Sequence, residues 1–196
     1  MYLPEQFRMG DRAALLDHAA AHPFATLVTY EGGIAVSHLP LLVDAEQGLL
    51  RGHVARANPQ LGHLAAGAEA VAVFHGPHGY VSPSVYLEQP SVPTWNYVVV
   101  HARGRARLVD EAALCRILDD QVARFDSTGW RFDPPEEYRR RMVDAIAGFE
   151  IPIAVLEGKW KMSQNKSAED QARVVEWLDR GDPSGRALAA LMLGRR

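Results

Sequence analysis

The sequence predicts an α+β fold, a mostly antiparallel β-barrel or curved sheet with helices packed on it. Three observations carry that reading. Segments rich in β-branched and aromatic residues crowd residues 24–109 and are parted by turns too short to hold crossover helices. Residues beyond 110 mostly carry apolar side chains at helical spacing. The whole is 196 residues with 47% hydrophobic and 23% charged side chains, the balance of a globular chain with one core, so a single domain over 1–196 is expected.

The elements follow in order. Residues 11–21 place Ala13, Leu15, Leu16 and Ala19 on one helical face, with Asp11 as the cap and Pro23 beyond the end. Strands are predicted over 24–30, 34–42, 48–54, 70–74 and 94–109, with Glu31-Gly32-Gly33, residues 44–48 and the Pro/Gly/Ser-rich stretch 76–93 as connections. Only one small helix fits among them, over 58–64. Leu114, Ile117, Leu118 and Val122 predict a helix over 110–125, and Tyr138, Met142, Val143 and Ile146 another over 136–146, so 110–147 reads as a helical insertion. Residues 149–157 form a last strand, and 167–178 and 183–193 two helices with charged outer faces, a C-terminal pair over about 167–194.

Composition excludes several classes. Lys and Arg number 21 against 24 Asp and Glu, a formal charge of −3, so no global basic field draws nucleic acid or anionic lipid. The lone Cys115 forms no intrachain disulfide and points to a reducing, cytoplasmic compartment. The start, with Pro4, Glu5, Arg8, Asp11 and Arg12, lacks the apolar stretch of a signal peptide, and no segment reads as a membrane span. No G-x-S-x-G, G-x-G-x-x-G or P-loop pattern is present, and no helix-turn-helix with a basic recognition helix.

Chemistry concentrates in three places. Between Ala70 and Ala102 the only formally charged side chain is Glu88, among Tyr80, Tyr86, Trp95, Tyr97, His75, His78 and Asn96. That composition suits an oligomer interface, and equally the wall of a pocket for a flat, mostly uncharged ring. The segment Gly52-His53-Val54-Ala55-Arg56-Ala57-Asn58 leaves a strand and enters a helix, where Arg56, Asn58 and free helix amides can meet an anion. The segment from Lys159 to Ser167 packs three lysines, two hydroxyls and an indole into nine residues; it reads as a phosphate partner or as a solvated basic loop capped by Asn165 or Ser167. His75 and His78 have a chelating spacing but no third ligand nearby except Glu88, so no metal is assigned.

Several blocks together resemble the PaiB family of FMN-binding negative transcriptional regulators. They are Met1-Tyr2-Leu3-Pro4 with Phe7, His38-Leu39-Pro40-Leu41, the segment from Gly52 to Gln60, Phe74 to Pro83, Val92-Pro93-Thr94-Trp95-Asn96-Tyr97, and Lys159 to Lys166. The resemblance covers nearly the whole chain and departs at Val85, where the family commonly has a tryptophan before the tyrosine. It implies a pyridoxamine-phosphate-oxidase-like split β-barrel, FMN as cofactor, and a homodimer with flavin at its interface. It places Arg56, Asn58 and His53 near the phosphate and His38 and Leu39 along the ring. Trp95 and Asn96 would line the pocket, with Trp160, Lys161, Ser163, Gln164 and Lys166 close to the cofactor, from the partner subunit if the site is shared. Regulation through flavin, redox state or a small molecule is the function implied. DNA is a possible partner of such a regulator, yet no DNA-binding motif is evident. A flavin-dependent oxidoreductase and a flavin-free or haem-handling module built on the histidine-rich sheet remain as alternatives.

Overall fold

The computed structural model describes residues 1–131 and 133–194; Phe132, within the predicted 110–147 insertion, and residues 195–196 lie outside the description. In chain order the first half holds β1 (Arg8–Met9), α1 (Arg12–Ala21), β2 (Phe24–Tyr30), β3 (Ile34–Pro40), β4 (Leu42–Asp44), β5 (Leu49–Ala55), α2 (Gln60–Ala65) and β6 (Glu69–Val81). The second holds β7 (Thr94–Arg105), β8 (Arg107–Leu108), α3 (Glu111–Phe125), α4 (Glu136–Asp144), β9 (Ile146–Pro152), β10 (Val155–Lys161), α5 (Ala168–Asp179) and α6 (Pro183–Leu193). The fold is α+β with antiparallel sheets, as the sequence predicts, and the strands make two sheets instead of one closed barrel.

The chain divides into two compact units, with α1, β6, β7 and β10 running from one into the other. The larger comprises Leu16–Phe74 and His101–Leu156. In it β6, β2 and β3 are neighbours, and a second sheet runs β4-β5-β9-β8. Strand periodicity decides what each face does: Ala25, Leu27 and Thr29 of β2 are buried, while Phe24 and Tyr30 point out. Leu41, Leu50, Leu64, Phe74, Phe149 and Ile151 fill the core. Helix α3 packs on β5 and β9 through Leu114 and Ile117, and its cap is Asp110, whose Oδ1 accepts from Ala113 N at 2.8 Å.

The other unit comprises Met1–Leu15, His75–Val100 and Glu157–Arg196. Its strands are ordered β1-β10-β7-β6. Helices α5 and α6 pair, each with an Asp or Ser cap: Ser167 Oγ accepts from Asp170 N at 3.1 Å, and Asp182 Oδ1 from Gly185 N at 2.7 Å. Leu178, Leu188, Val174 and Met192 are buried there.

Several boundaries differ from the sequence reading. The predicted helix 136–146 stops at Asp144 and Ile146 opens β9 opposite Ala55, and the predicted strand 34–42 breaks at Leu41 into β3 and β4, which join different sheets. The stretch read as a connection from residue 76 belongs to β6 as far as Val81, because its alternation is masked by Gly76, Pro77 and Gly79. Gly79 is there for close approach: a Cβ would lie 2.5 Å from Leu178 Cδ2, so α5 could not seat. The predicted strand 149–157 is two strands, β9 and β10, parted at Ile153 and Ala154, and the predicted strand 94–109 breaks at Ala106. In both places backbone amides bond off the ladder, Ile153 N to Gly48 O and Ala106 N to Ala68 O.

One buried base makes stability depend on pH. His18 in α1 stacks on His22 with ring centroids 4.2 Å apart, and burial, with a smaller contribution from the His22 charge, pushes its pKa from 6.5 down to about 4. The unfolded chain takes this proton near pH 6.5 and the folded one only near 4. Stability is therefore full above pH 6.5 and falls as pH drops toward 4, by roughly 2 kcal/mol. Urea titrations of His18→Leu should show a flatter profile across that window; an unchanged slope would assign the acid sensitivity elsewhere.

Candidate functional site

The first cluster lies in the larger unit, at the turn from β5 into α2. Arg56 leaves β5 exposed, its backbone N bonded to Ala145 O and its Nε to Asp144 O, both at 2.9 Å. That fixes the guanidinium plane and leaves the Nη donors for an anion. Asn58 is spent differently: Nδ2 donates to Ser37 Oγ at 2.9 Å, and Oδ1 accepts from Gln60 N at 2.9 Å. It ties the Arg56 turn to β3 one residue from His38. The amides of Leu61 and Gly62 bond to Asn58 O and Pro59 O, so the free helix amides expected from the sequence are taken up within the turn.

Gln60 is the residue the sequence reading missed. It is buried, and its Nε2 lies 3.0 to 3.1 Å from Leu27 O, Thr29 Oγ1 and Ala35 O, locking α2 to the β2–β3 hairpin. Its signal was a polar residue at a core position just after Asn58-Pro59.

His38 lies exposed on β3, its Nδ1 within 3.1 Å of Thr26 Oγ1 and its ring 6.5 Å from that of Phe24. Antiparallel register puts Phe24, Val28, Tyr30, Ile34 and Val36 on the same face. Phe24, Tyr30, Ile34 and Val36 are 68%, 64%, 74% and 52% exposed, an apolar patch that water alone would penalise. Strand alternation turns Leu39 the other way, into the core beside Leu41 and Phe149 where they close on Gly52. His53 of β5 is half buried, on the face it shares with Arg51 and opposite to buried Gly52 and Val54; burial holds its pKa below the usual value against an opposing hydrogen bond with Gln121 of α3. Arg56 and Asn58 thus come together at the β5–α2 turn, His38 lies on the face of β3 opposite to Ser37, Leu39 is packed into the core and His53 is half buried.

The second cluster lies in the other unit, where β7 meets the end of β10. Lys161 donates to Thr94 Oγ1 and to Trp95 O, the latter at 2.9 Å; burial and the Lys159 charge lower its pKa. Asn96 is buried and donates through Nδ2 to Ser163 Oγ at 2.9 Å, while its Oδ1 has no hydrogen-bond partner among the described residues. Ser163 is itself buried and held at φ +61°, in the left-handed region that a non-glycine residue enters only when its surroundings fix it. Gln164 closes the corner, donating to Trp160 O and accepting from Met162 N at 2.7 Å.

Trp160 is buried, and Lys166 sits with Nζ 4.7 Å from the Tyr86 ring centre. Lys159 donates to Tyr2 O at 3.1 Å and lies over the Tyr2 and Tyr97 rings. The segment is therefore a strand end pinned by its own lysines more than a solvated basic loop, and Ser167 caps the helix that follows it. Trp95 is half exposed, its ring 5.8 Å from His78 and 6.1 Å from Tyr80.

The donor set in the first cluster fits FMN. A fixed guanidinium answers the phosphate, and the hydroxyl, imidazole and apolar side chains of β2 and β3 answer the edge and face of a flat ring. Comparison with known proteins agrees. Residues 1–155 match the family described as "Putative FMN-binding domain", and the chain belongs to that family, whose cofactor is FMN. It is similar to the protease synthase and sporulation protein PAI 2 of Bacillus subtilis (strain 168), with 29% identity over 98% of this chain and 96% of that one, in keeping with the PaiB resemblance. Among solved structures, the flavocytochrome Anf3 from Azotobacter vinelandii shares the fold at TM-score 0.67 and 19% identity, covering 85% of this chain and 75% of its own. The FAD and heme binding protein from Mycobacterium smegmatis does so at 0.66 and 19%, covering 84% and 78%. No helix among the described residues is long and apolar enough to cross a membrane.

Proposed function

We propose that the chain is an FMN-binding split-barrel homodimer acting as a PaiB-type negative regulator, with the flavin as the element that senses redox state or a small molecule. The observation that carries this reading is the exposed apolar face of β2 and β3 with His38 on it, joined through Asn58 and Ser37 to the Arg56 turn. A second copy covers the apolar face, Arg56 takes the phosphate, and the His38 strand runs along the ring. The partner subunit's Asn96, Trp160, Lys161, Ser163, Gln164 and Lys166 close the site from their rigid corner. When bound, FMN supplies reversible hydride and electron chemistry; the chain supplies binding, orientation and exclusion of water.

No basic groove-reading helix is present in the sequence, so regulation rests on the ligand state of the dimer and on whatever partner reads it. The visible spectrum of the purified protein after loading with FMN and removal of excess tests cofactor binding directly: retained flavin bands with quenched fluorescence support it, and a colourless protein overturns it. Arg56→Ala should weaken FMN by about tenfold while leaving riboflavin nearly unchanged, because only FMN carries the phosphate. Equal losses measured by fluorescence titration would remove Arg56 from that role.

A further inference from the structure

A groove of about 380 Å³ runs along the unit that carries the C-terminal helices, between the β6–β7 surface and the end of α5. Tyr80 and Trp95 form one wall, their rings 6.1 Å apart and tilted by 54°. Trp177 of α5 forms the other, with its indole Nε1 donating to Tyr80 O at 2.8 Å, which fixes the ring against the strand. Tyr80, Trp95 and Trp177 are 46%, 48% and 43% exposed, three aromatic faces held open to solvent at one spot. The floor is tight because Gly79 and Gly185 let strand and helix approach over Leu178.

Beside it, sharing Trp177 and Arg180, lies a polar depression of about 270 Å³ lined by Ser84, Arg173, Glu176 and Arg180. Spacing explains the layout: 173 and 177 fall on one face of α5 and 180 continues that face as its C-cap, so one guanidinium stands about a turn to either side of the indole, and Arg180 lines both depressions. Arg173 is aimed by its Nε bond to Val85 O at 2.6 Å. Arg180 is 82% exposed by side chain and only loosely paired with Glu176 at 3.9 Å. Asp182, the acidic group at the aromatic end, is spent on the cap of α6.

We propose that this groove binds a small planar aromatic compound bearing an anionic substituent, its ring between Trp177 and the Tyr80–Trp95 pair and its charge on Arg180 and Arg173. The proposal does not rest on the flavin reading, although Trp95 is also a residue that the PaiB resemblance assigns to the flavin pocket. Arg173, Trp177 and Arg180 lie beyond residue 155, where the match to the FMN-binding family ends. Two walls of aromatic surface favour a one- or two-ring body, and two guanidiniums with one hydroxyl, set against the single carboxylate of Glu176, favour an oxyanion over a neutral or cationic group.

Calorimetric titration of the full-length protein with 2-naphthoate, its neutral amide 2-naphthamide, and a 2-naphthyl-trimethylammonium salt tests it. The naphthoate is expected to bind at one site with Kd of about 1 mM or tighter, and the amide about tenfold more weakly. Arg180→Gln should bring naphthoate close to the amide without changing the amide, and Trp177→Leu should weaken both. Arg180 is a surface residue, so that variant decides the matter even if Trp177→Leu fails to fold. No saturable binding, equal affinity for acid and amide, or preference for the ammonium salt would overturn the proposal. So would competition between naphthoate and FMN, which would make the groove the flavin's own.

Discussion

Gly104→Ala is expected to lower the stability of the protein by on the order of 4 kcal/mol, a fall in Tm of about 10 °C for a chain of this size. Gly104 lies in β7 where the strand crosses the end of β9, and a Cβ there would stand 2.0 Å from Pro152 O and 2.9 Å from Ile151 Cγ2. The nearer atom is backbone, and it has little freedom to retreat. Ile153 N donates to Gly48 O and Ala154 N to Arg103 O, each at 2.8 Å, so the chain on the far side of Pro152 is fastened to two neighbours. Relief would have to come from displacing β9, which carries the buried Phe149 and Ile151. Gly62→Ala is the matched control: it is exposed in α2, nothing lies within 4 Å of its Cβ, and the change should add about 0.5 to 1 kcal/mol. Urea denaturation of both variants checks the pair; equal midpoints would show that the β7–β9 crossing yields more easily than its geometry implies.

The sequence made the helices legible because they carry local signals. Asp110 and Ser167 stand at cap positions and do cap, and the apolar spacing from Leu114 to Ile117 is the buried face of α3. The strands were legible where one face is buried and the other wet, as in β2. They were misread where tertiary contact overrides local chemistry: β6 runs through two glycines and a proline because α5 must lie close, a fact held in Leu178 a hundred residues away.

The candidate site divides in the same manner. Arg56 and His38 were legible as polar residues at a strand end and on a strand face, and both are exposed where a ligand can reach them. Leu39 was named with its neighbours, but period-two alternation sends it into the core and leaves His53 half buried on the other face of β5, and only the strand register reveals which parity is which. Gln60 offered only its place just after Asn58-Pro59, and Arg173, Trp177 and Arg180 no signature of their own; a polar residue is known to be a hub only when its carbonyl partners are in place.

Val36→Glu should turn the protein monomeric at micromolar concentration and abolish retention of FMN, if the homodimer proposed above forms through the β2–β3 face. Val36 pairs with Val28, which pairs on its other side with Val71 of β6, so the substitution falls amid apolar side chains. On an isolated chain it is a surface change at a 52% exposed position, worth within about 0.5 kcal/mol. In a two-fold dimer the same patch meets itself, and two carboxylates enter one dry interface, each at a cost of several kcal/mol. The effect therefore separates assembly from folding. Light scattering should report half the mass while circular dichroism shows the chain still folded, and Val92→Glu, at a 75% exposed position outside β2 and β3, should leave the mass alone. A Val36→Glu protein of unchanged mass would sink the proposed interface. The shared site can then be tested by mixing. Trp160 is buried and a poor choice for truncation, so Arg56→Ala chains are combined with Lys161→Met chains after reversible dissociation. If each site takes Arg56 from one subunit and Lys161 from the other, random exchange makes half the dimers mixed, each with one intact site, and about a quarter of all sites regain FMN. No regain would place both residues within one subunit or one of them outside the site.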